Sequence, residues 1–398
     1  MQKGIYDGLR VLDLTRVISG PYCAMLLADM GADVIKIEKR GDGDITRIYH
    51  PIINGESVYH FVLNRNKRSM ELDFRSKEGK EILLGLAEKA DVIVENFRPG
   101  TLEKMGLNGE KLREKNPGLV IAHISGFGQD GPFAQRPGFD AVVQAMSGLM
   151  SLTGDPNGPP TVGGTFFVDY MTGVYTAVAI LAALHDREKM GRGQDVETCL
   201  LDSAMSILLT AIPYQILLNQ TVTRVGNRDR ISAPGNIFKT KDGEWVLCLA
   251  GGTEDHFRRF AEASNMEFLL KDPRFADFDS RLKYVDDIEK YMADWIAKYN
   301  VNEIIEITAE AGITCAKVET IADLVKNPQV VHCEKIIEIT HPKAGKIPMQ
   351  GFPFHFSKTP AQVRYPAPML GEHSEEILKE WLGFTENQIN SMRESGTI

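Results

Sequence analysis

Between residues 9 and 125, short apolar runs alternate with helix-length amphipathic segments, and this alternation restricts the chain to a sheet of parallel strands covered on both faces. Residues 9–14 read as the first strand. The helix after it has Gly20 as a candidate cap, Pro21 at its first helical position and Gly31 at its end, and residues 33–38 complete a βαβ unit. Ser76 caps a helix that runs to about Lys89, and residues 91–95 form a strand. Asn108 caps a short helix stopped by Asn116-Pro117, and residues 119–125 form the next strand. Sheets of this kind present ligands at the carboxyl ends of their strands.

Further along, residues 170–184 form one apolar helix, Gly191-Arg-Gly-Gln194 turns into a strand at 195–199, and a second apolar helix continues to about Leu218. From Ile237 the pattern changes. Runs at 237–240 and 244–249, joined around Asp242-Gly243, read as a hairpin, followed by amphipathic helices around 254–263 and 286–299, then 312–318. A new domain starts near this change. Past Pro328 the chain is rich in Pro and Gly through His341-Pro342 and Gly351-Phe-Pro353, as expected of an extended segment crossing a surface. A helix at 374–381 and another with the capping box Thr385-x-x-Gln388 follow. A length of 398 residues suits two domains, or one large domain with a substantial insertion.

The formal charge of -9 argues against a nucleic-acid partner, whose footprint would be a basic excess. No basic stretch precedes an apolar one at Met1, and the apolar run at 170–184 is too short to span a bilayer. The expectation is a cytoplasmic protein with no membrane partner. The five cysteines, Cys23, Cys199, Cys248, Cys315 and Cys333, are scattered without a Cys-x-x-Cys and read as reduced and mostly core. Nine histidines are dispersed without ligand spacing, so no metal is expected.

The first βαβ unit invites a dinucleotide reading, because Glu38 ends the second strand. It fails at the turn, where Thr15-Arg-Val-Ile-Ser-Gly-Pro21 supplies one glycine and a bulky stretch in place of Gly-x-Gly-x-x-Gly. There is no Walker loop, and Ser125 lacks the first glycine of a nucleophile elbow. The cations are informative by placement. Arg16, Lys39-Arg40 and Lys67-Arg68 with Arg75 follow strands or sit in loops, and Arg98 and Lys104 follow the strand ending near Asn96. Such positions are either solvated surface or a site for an adenine nucleotide with several phosphates, with Phe97 as its aromatic contact. Asp169 also carries two readings. Standing before an apolar helix it is a helix cap; next to Gly163-Gly164 and in a dry pocket it is a nucleophile toward a carbonyl.

Several of these residues lie in longer motifs. Val11-Leu-Asp-Leu-Thr-Arg-Val17, Ser19-Gly-Pro21, Leu27-Ala-Asp-Met-Gly-Ala-Asp-Val-Ile-Lys-Ile-Glu38, Asn64-Arg-Asn-Lys-Arg-Ser69, Val94-Glu-Asn-Phe-Arg-Pro-Gly100 and Ser125-Gly-Phe-Gly-Gln129 appear in order. Gly191-Arg-Gly-Gln194, Asn327-Pro-Gln329 and Leu370-Gly-Glu-His373 follow. With them the chain resembles the class III CoA-transferases over almost its whole length. The resemblance implies an α/β fold with a large Rossmann-like parallel-sheet domain (1–225 with 331–398), a smaller inserted α+β domain (226–330) and an interlocked homodimer. It implies that Asp169 is the nucleophile, and that Arg16, Val17, Lys39, Leu72, Arg75, Asn96, Phe97 and Lys104 contact coenzyme A.

The implied reaction moves CoA from an acyl-CoA donor to a small carboxylic acid through aspartyl anhydride and aspartyl-CoA thioester intermediates, with oxyanion donors near Gly163-Gly164 or after Asp169. Formyl-CoA transferases carry glutamine where Ile18 stands and four glycines where Ala233-Pro-Gly-Asn236 stands, which disfavours oxalate and formate as substrates. The related α-methylacyl-CoA racemases place a catalytic histidine where Phe139 stands, and phenylalanine cannot serve as a base. The alternatives are an isomerase on the same fold and a CoA-binding protein without turnover.

Overall fold

The computed structural model describes residues 3–398; Met1, where the reading of the leading segment begins, lies outside them, as does Gln2. The chain forms two compact units. The first comprises residues up to Leu149 with Val162–Pro213 and His332–Ile398, and the second Met150–Thr161 with Tyr214–Val331.

The first unit is built on a six-stranded parallel sheet. Its strands are β1 (Arg10–Asp13), β2 (Asp33–Lys39), β3 (Lys67–Leu72), β4 (Val92–Glu95), β5 (Val120–Ser125) and β6 (Asp195–Cys199), in the order β3-β2-β1-β4-β5-β6. Alternate side chains serve opposite faces. Leu12, Ile35, Met70, Ile93 and Ile121 pack on one side with α2 (Lys77–Lys89) and the two helices at the end of the chain, Ser374–Leu382 and Glu386–Ser395. Val11, Val34, Val92, Val94 and Val120 pack on the other with α1 (Ser19–Asp29) and α6 (Phe167–Met190). Between α2 and α6 lie α3 (Thr101–Lys104), α4 (Gly109–Lys115) and α5 (Asp140–Met146).

Helix α6 has 24 residues, well beyond the apolar run that marked it in the sequence. By length and composition it is long and apolar enough to cross a membrane, which corrects the expectation of a segment too short to do so; half of its most apolar window is buried inside the structure. Helix α1 starts at Ser19, so Pro21 is its third residue and Gly20 lies inside it.

Strand β3 was not anticipated, because Lys67, Arg68 and Glu71 disguise it. Lys67 is fully buried, with Nζ 2.8 Å from Asp13 and 2.9 Å from Asn64 Oδ1. Arg68 reaches Asp33, Glu376 and Glu380 at 2.7–2.8 Å, and Arg65, just before the strand, forks onto Asp29 at 2.7 Å. Lys67 and Arg68, read from the sequence as surface or phosphate ligands, are engaged in structural ion pairs. Arg65 also donates to the carbonyl of Gln350, the last residue of a hairpin formed by Ile336–His341 and Gly345–Gln350, which replaces part of the extended segment expected there.

The second unit carries a three-stranded antiparallel sheet, β9-β8-β7, made of β7 (Gly235–Lys239), β8 (Trp245–Leu249) and β9 (Thr314–Lys317). Helices at Glu254–Ala263, Val285–Ile296 and Val301–Glu310 contribute Phe257, Phe260, Trp295 and Ile304 to its core.

Candidate active site

The chain leaves β1 toward β2 and β3, then returns to the other side of β1 with β4, so β1 and β4 flank a topological switch point. A cavity of about 950 Å³ opens there. Its walls follow the carboxyl ends of three strands: Thr15 and Arg16 after β1, Lys39 at the end of β2 and Phe97 after β4, with Arg75, Lys80 and Lys104 completing its cationic side. Lys39 is paired with Asp42, whereas Arg16, Arg75, Lys80 and Lys104 form no ion pair among the described residues. The acidic residues nearby are already neutralised. Glu38 is held at 2.6 Å by Arg47, and Asp44 at 3.0 Å by Lys36. The cavity therefore carries uncompensated positive charge suited to phosphates.

A second cavity of about 470 Å³ shares Arg16, Ile45 and Phe97 with the first and is also lined by Val17, Ser19, Asn96, Arg98, Arg136 and Phe139. The loop between the two is clamped from several sides. Asn96 accepts from the Arg16 N–H at 2.9 Å and donates to the Arg16 carbonyl at 2.7 Å. Lys36 donates to the Thr15 carbonyl, Asp13 accepts from the Thr15 N–H, and Asp44 accepts from the Val17 N–H. Under this restraint Val17 sits at φ 72°, a left-handed conformation that a β-branched residue enters only when its surroundings impose it. Glu95 sets the neighbouring loop by accepting the Phe97 N–H at 2.7 Å, and its other oxygen lies 2.7 Å from His123.

Asp169 is the third residue of α6 and is 9% exposed. It is not the helix cap. The free N–H groups of Val168 and Asp169 donate to one carboxylate oxygen of Asp140, at 2.9 and 3.1 Å, so the capping role read for Asp169 belongs to a residue far back in the chain. The other Asp140 oxygen accepts from the Gln144 side-chain amide, whose Oε1 accepts the Gly163 N–H at 2.9 Å. A Cβ on Gly163 would stand 2.4 Å from the Phe167 ring, whereas one on Gly164 would meet no heavy atom within 4 Å. Of the N–H groups expected to serve an oxyanion, that of Gly163 is thus engaged, and Gly164 faces open space.

One turn along α6, Gly173 allows close approach: a Cβ there would lie 2.7 Å from the Ser19 carbonyl oxygen. The start of α1 can therefore come close enough for Ser19 to hydrogen-bond Asp169. Burial pushes the Asp169 carboxyl up to about 7, the negative charge of Asp140 adds to the rise, and the Ser19 hydrogen bond opposes it. The outcome is a dry carboxylate that is partly ionised at neutral pH and has its helix capped by another residue; it lies behind Ser19, which lines the second cavity, and is not itself part of that wall.

The family model described as CoA-transferase family III matches residues 6–374. The chain belongs to CoA-transferase family III. Among curated relatives of this CoA-transferase, a succinyl-CoA–D-citramalate CoA-transferase of Chloroflexus aurantiacus is 35% identical over 98% of both chains. A succinyl-CoA:mesaconate CoA-transferase of Haloarcula hispanica is 37% identical over 98% of this chain and 99% of its own. Among solved structures, a CAIB/BAIF family protein of Brucella suis matches with a TM-score of 0.84 at 32% identity, over 96% of this chain and all of the other.

Of the residues the family resemblance marked in this CoA-transferase, the structure gathers Arg16, Lys39, Arg75, Phe97 and Lys104 around the larger cavity, and Arg16, Val17, Asn96 and Phe97 around the smaller. Leu72 is apart from these. Its side chain is fully buried in the core at the end of β3, so any contact it makes with a ligand falls to its main chain. Sequence reasoning missed Lys80, Ser19 and the Asp140–Gln144 relay. The Ser76 cap fixes the phase of α2 and with it Lys80, but the relay joins segments distant in sequence and leaves no local signal.

Proposed function

We propose that this enzyme transfers CoA from an acyl-CoA to a small dicarboxylic acid through covalent intermediates on Asp169. The observation that carries the reading is the Asp169 carboxyl, nearly buried, raised to about 7 and relieved of the capping role by Asp140. The carboxylate attacks the thioester carbonyl, giving a mixed anhydride and CoA thiolate. The thiolate attacks the aspartyl carbonyl, releasing the donor acid and leaving aspartyl-CoA thioester. The acceptor carboxylate attacks that thioester to form a second anhydride, and the freed thiolate takes the acceptor acyl group, regenerating Asp169. Succinyl-CoA is the proposed donor, following the names of the relatives. A dicarboxylic acceptor fits Arg98 and Arg136 in the smaller cavity, which form no ion pair among the described residues. A donor-by-acceptor assay with hydroxylamine tests this: hydroxylamine added with acyl-CoA, but not alone, is expected to leave a hydroxamate on Asp169. An unmodified Asp169 peptide from enzyme in turnover would rule out the covalent route.

The CoA nucleotide is assigned to the larger cavity, with Lys39, Arg75 and Lys104 toward the phosphates and Phe97 toward the adenine. Arg75→Ala and Lys104→Ala should each raise KM for acyl-CoA by about tenfold while sparing KM for the acid, because only CoA carries phosphates. Equal effects on the two substrates would place the nucleotide elsewhere.

The functional form is proposed to be an interlocked homodimer. Large apolar side chains, Val174 and Val178, stand exposed along α6, a face that a second copy would cover. Sedimentation at falling concentration should show no folded monomer, with dissociation coinciding with denaturation. A folded monomer at low concentration would refute the interlocked form.

A further inference from the structure

Two of the five cysteines face each other in the second unit. Cys248 on β8 stands directly opposite Cys315 on β9. The Val318 N–H donates to the Trp245 carbonyl at 2.8 Å, which makes Trp245 and Val318 a hydrogen-bonded pair of this antiparallel ladder. Pair types alternate along such a ladder, so Val246 and Lys317 are a non-hydrogen-bonded pair, Leu247 and Ala316 a hydrogen-bonded one, and Cys248 and Cys315 again a non-hydrogen-bonded one. In the non-hydrogen-bonded type the Cα atoms approach to about 4.5 Å with both side chains on one face, inside the roughly 4.4–6.8 Å that a disulfide spans.

We propose that Cys248 and Cys315 form a dithiol site that reacts with small-molecule disulfides and closes into a cross-strand disulfide, fixing β9 to β8. The two thiols differ in access. Cys248 is fully buried on the central strand, whereas Cys315 is partly exposed on β9, an edge strand of the sheet. Cys315 is also the readier thiolate: the neighbouring Cys248 thiol holds it below the ordinary thiol range against the opposing effect of burial. The Cys315 thiolate attacks one sulfur of the reagent, expelling one small thiolate and leaving a mixed disulfide. Cys248 then loses its proton to that thiolate and attacks the Cys315 sulfur, expelling the second. Two protein thiols are oxidised, one reagent disulfide is reduced to two thiols, and nothing else is consumed.

The test uses the full chain, held folded with excess oxidised glutathione, alkylated and digested without reduction. The expected products are a peptide joining Cys248 to Cys315 and a protein lighter by two hydrogens, both reversed by dithiothreitol. Cys248→Ser should stop at glutathione on Cys315, and Cys315→Ser should leave Cys248 an unmodified thiol. Folded wild-type protein that keeps glutathione on Cys315 without the link, or in which both thiols remain alkylatable, overturns the proposal. The wild-type map decides the matter even if a serine variant fails to fold.

Discussion

Replacing Asp169 by asparagine is expected to lower CoA transfer by more than about 10³-fold while leaving the protein at least as stable as before. The two halves of this expectation share one cause. For a carboxyl raised from 3.8 to about 7, the fold favours the neutral form over the ionised one. Its ionisation therefore costs nothing below pH 3.8, costs progressively more as the pH rises toward 7, and at pH 8 weighs against the folded state by on the order of a few kcal/mol. Asparagine removes that cost and no cap is lost, because Asp140 caps α6. Urea midpoints at pH 8 and pH 4 check the sign, since the gain should appear only at the higher pH. In the unaltered enzyme, kcat/KM for acyl-CoA should climb as the pH rises through about 7. Asp140→Asn should move that limb to lower pH by removing a like charge, and Ser19→Ala should move it to higher pH by removing a hydrogen bond. Near-normal turnover by Asp169→Asn would end the covalent mechanism.

Asp29→Ala is expected to destabilise the first unit by about 3–5 kcal/mol, among the largest effects available to a single substitution. Asp29 and Arg65 are 2% and 1% exposed, and the guanidinium gives the carboxylate three hydrogen bonds of 2.7–3.1 Å. Without its partner Arg65 is a buried charge left, among the described residues, with the carbonyls of Gln350 and Gly351, the Met349 sulfur and the face of the Phe352 ring, and no carboxylate. The double replacement Asp29→Leu with Arg65→Met should recover much of the loss, because it removes both charges and keeps the apolar volume. Equilibrium urea unfolding measures both. A cost below about 1 kcal/mol for the single change would show that Arg65 finds water or another partner when Asp29 is absent.

Strands β1, β2, β4 and β5 were legible because each holds an apolar run between turn signals, β6 because it follows the Gly191-Arg-Gly-Gln194 turn, and the caps at Ser76, Asn108 and Thr385 are local motifs whose hydrogen bonds form as read. Strand β3 was hidden because its charges are buried by partners elsewhere in the chain, which no local pattern reports. The same applies to α6. Its boundary was read from Asp169, whereas it starts at Phe167 under a cap from Asp140. The apolar stretch after Leu200 read as one helix but breaks into Leu200–Ser206 and Ala211–Leu218, with Leu209 between them at φ 34°. Pro348 lies within the second strand of the hairpin that was read as an extended segment, and proline is a poor strand signal away from an edge. The cations around the cavity could be placed after their strands by topology alone, but which of them are spent on neighbouring carboxylates required coordinates.

The ion pairs beneath the sheet also bear on how this family can be recombined in the laboratory. Asp13, Asp29 and Asp33 come from β1, α1 and β2, while Lys67, Arg65 and Arg68 come from β3 and its approach, and Arg68 also draws on Glu376 and Glu380 near the end of the chain. A chimera joined between residues 40 and 60 inherits one set from each parent, and it will fold only if both parents place matching charges at all of these positions. Crossovers that keep residues 10–70 and the closing helices from one parent avoid that constraint, leaving the second unit as the part of the chain most readily exchanged.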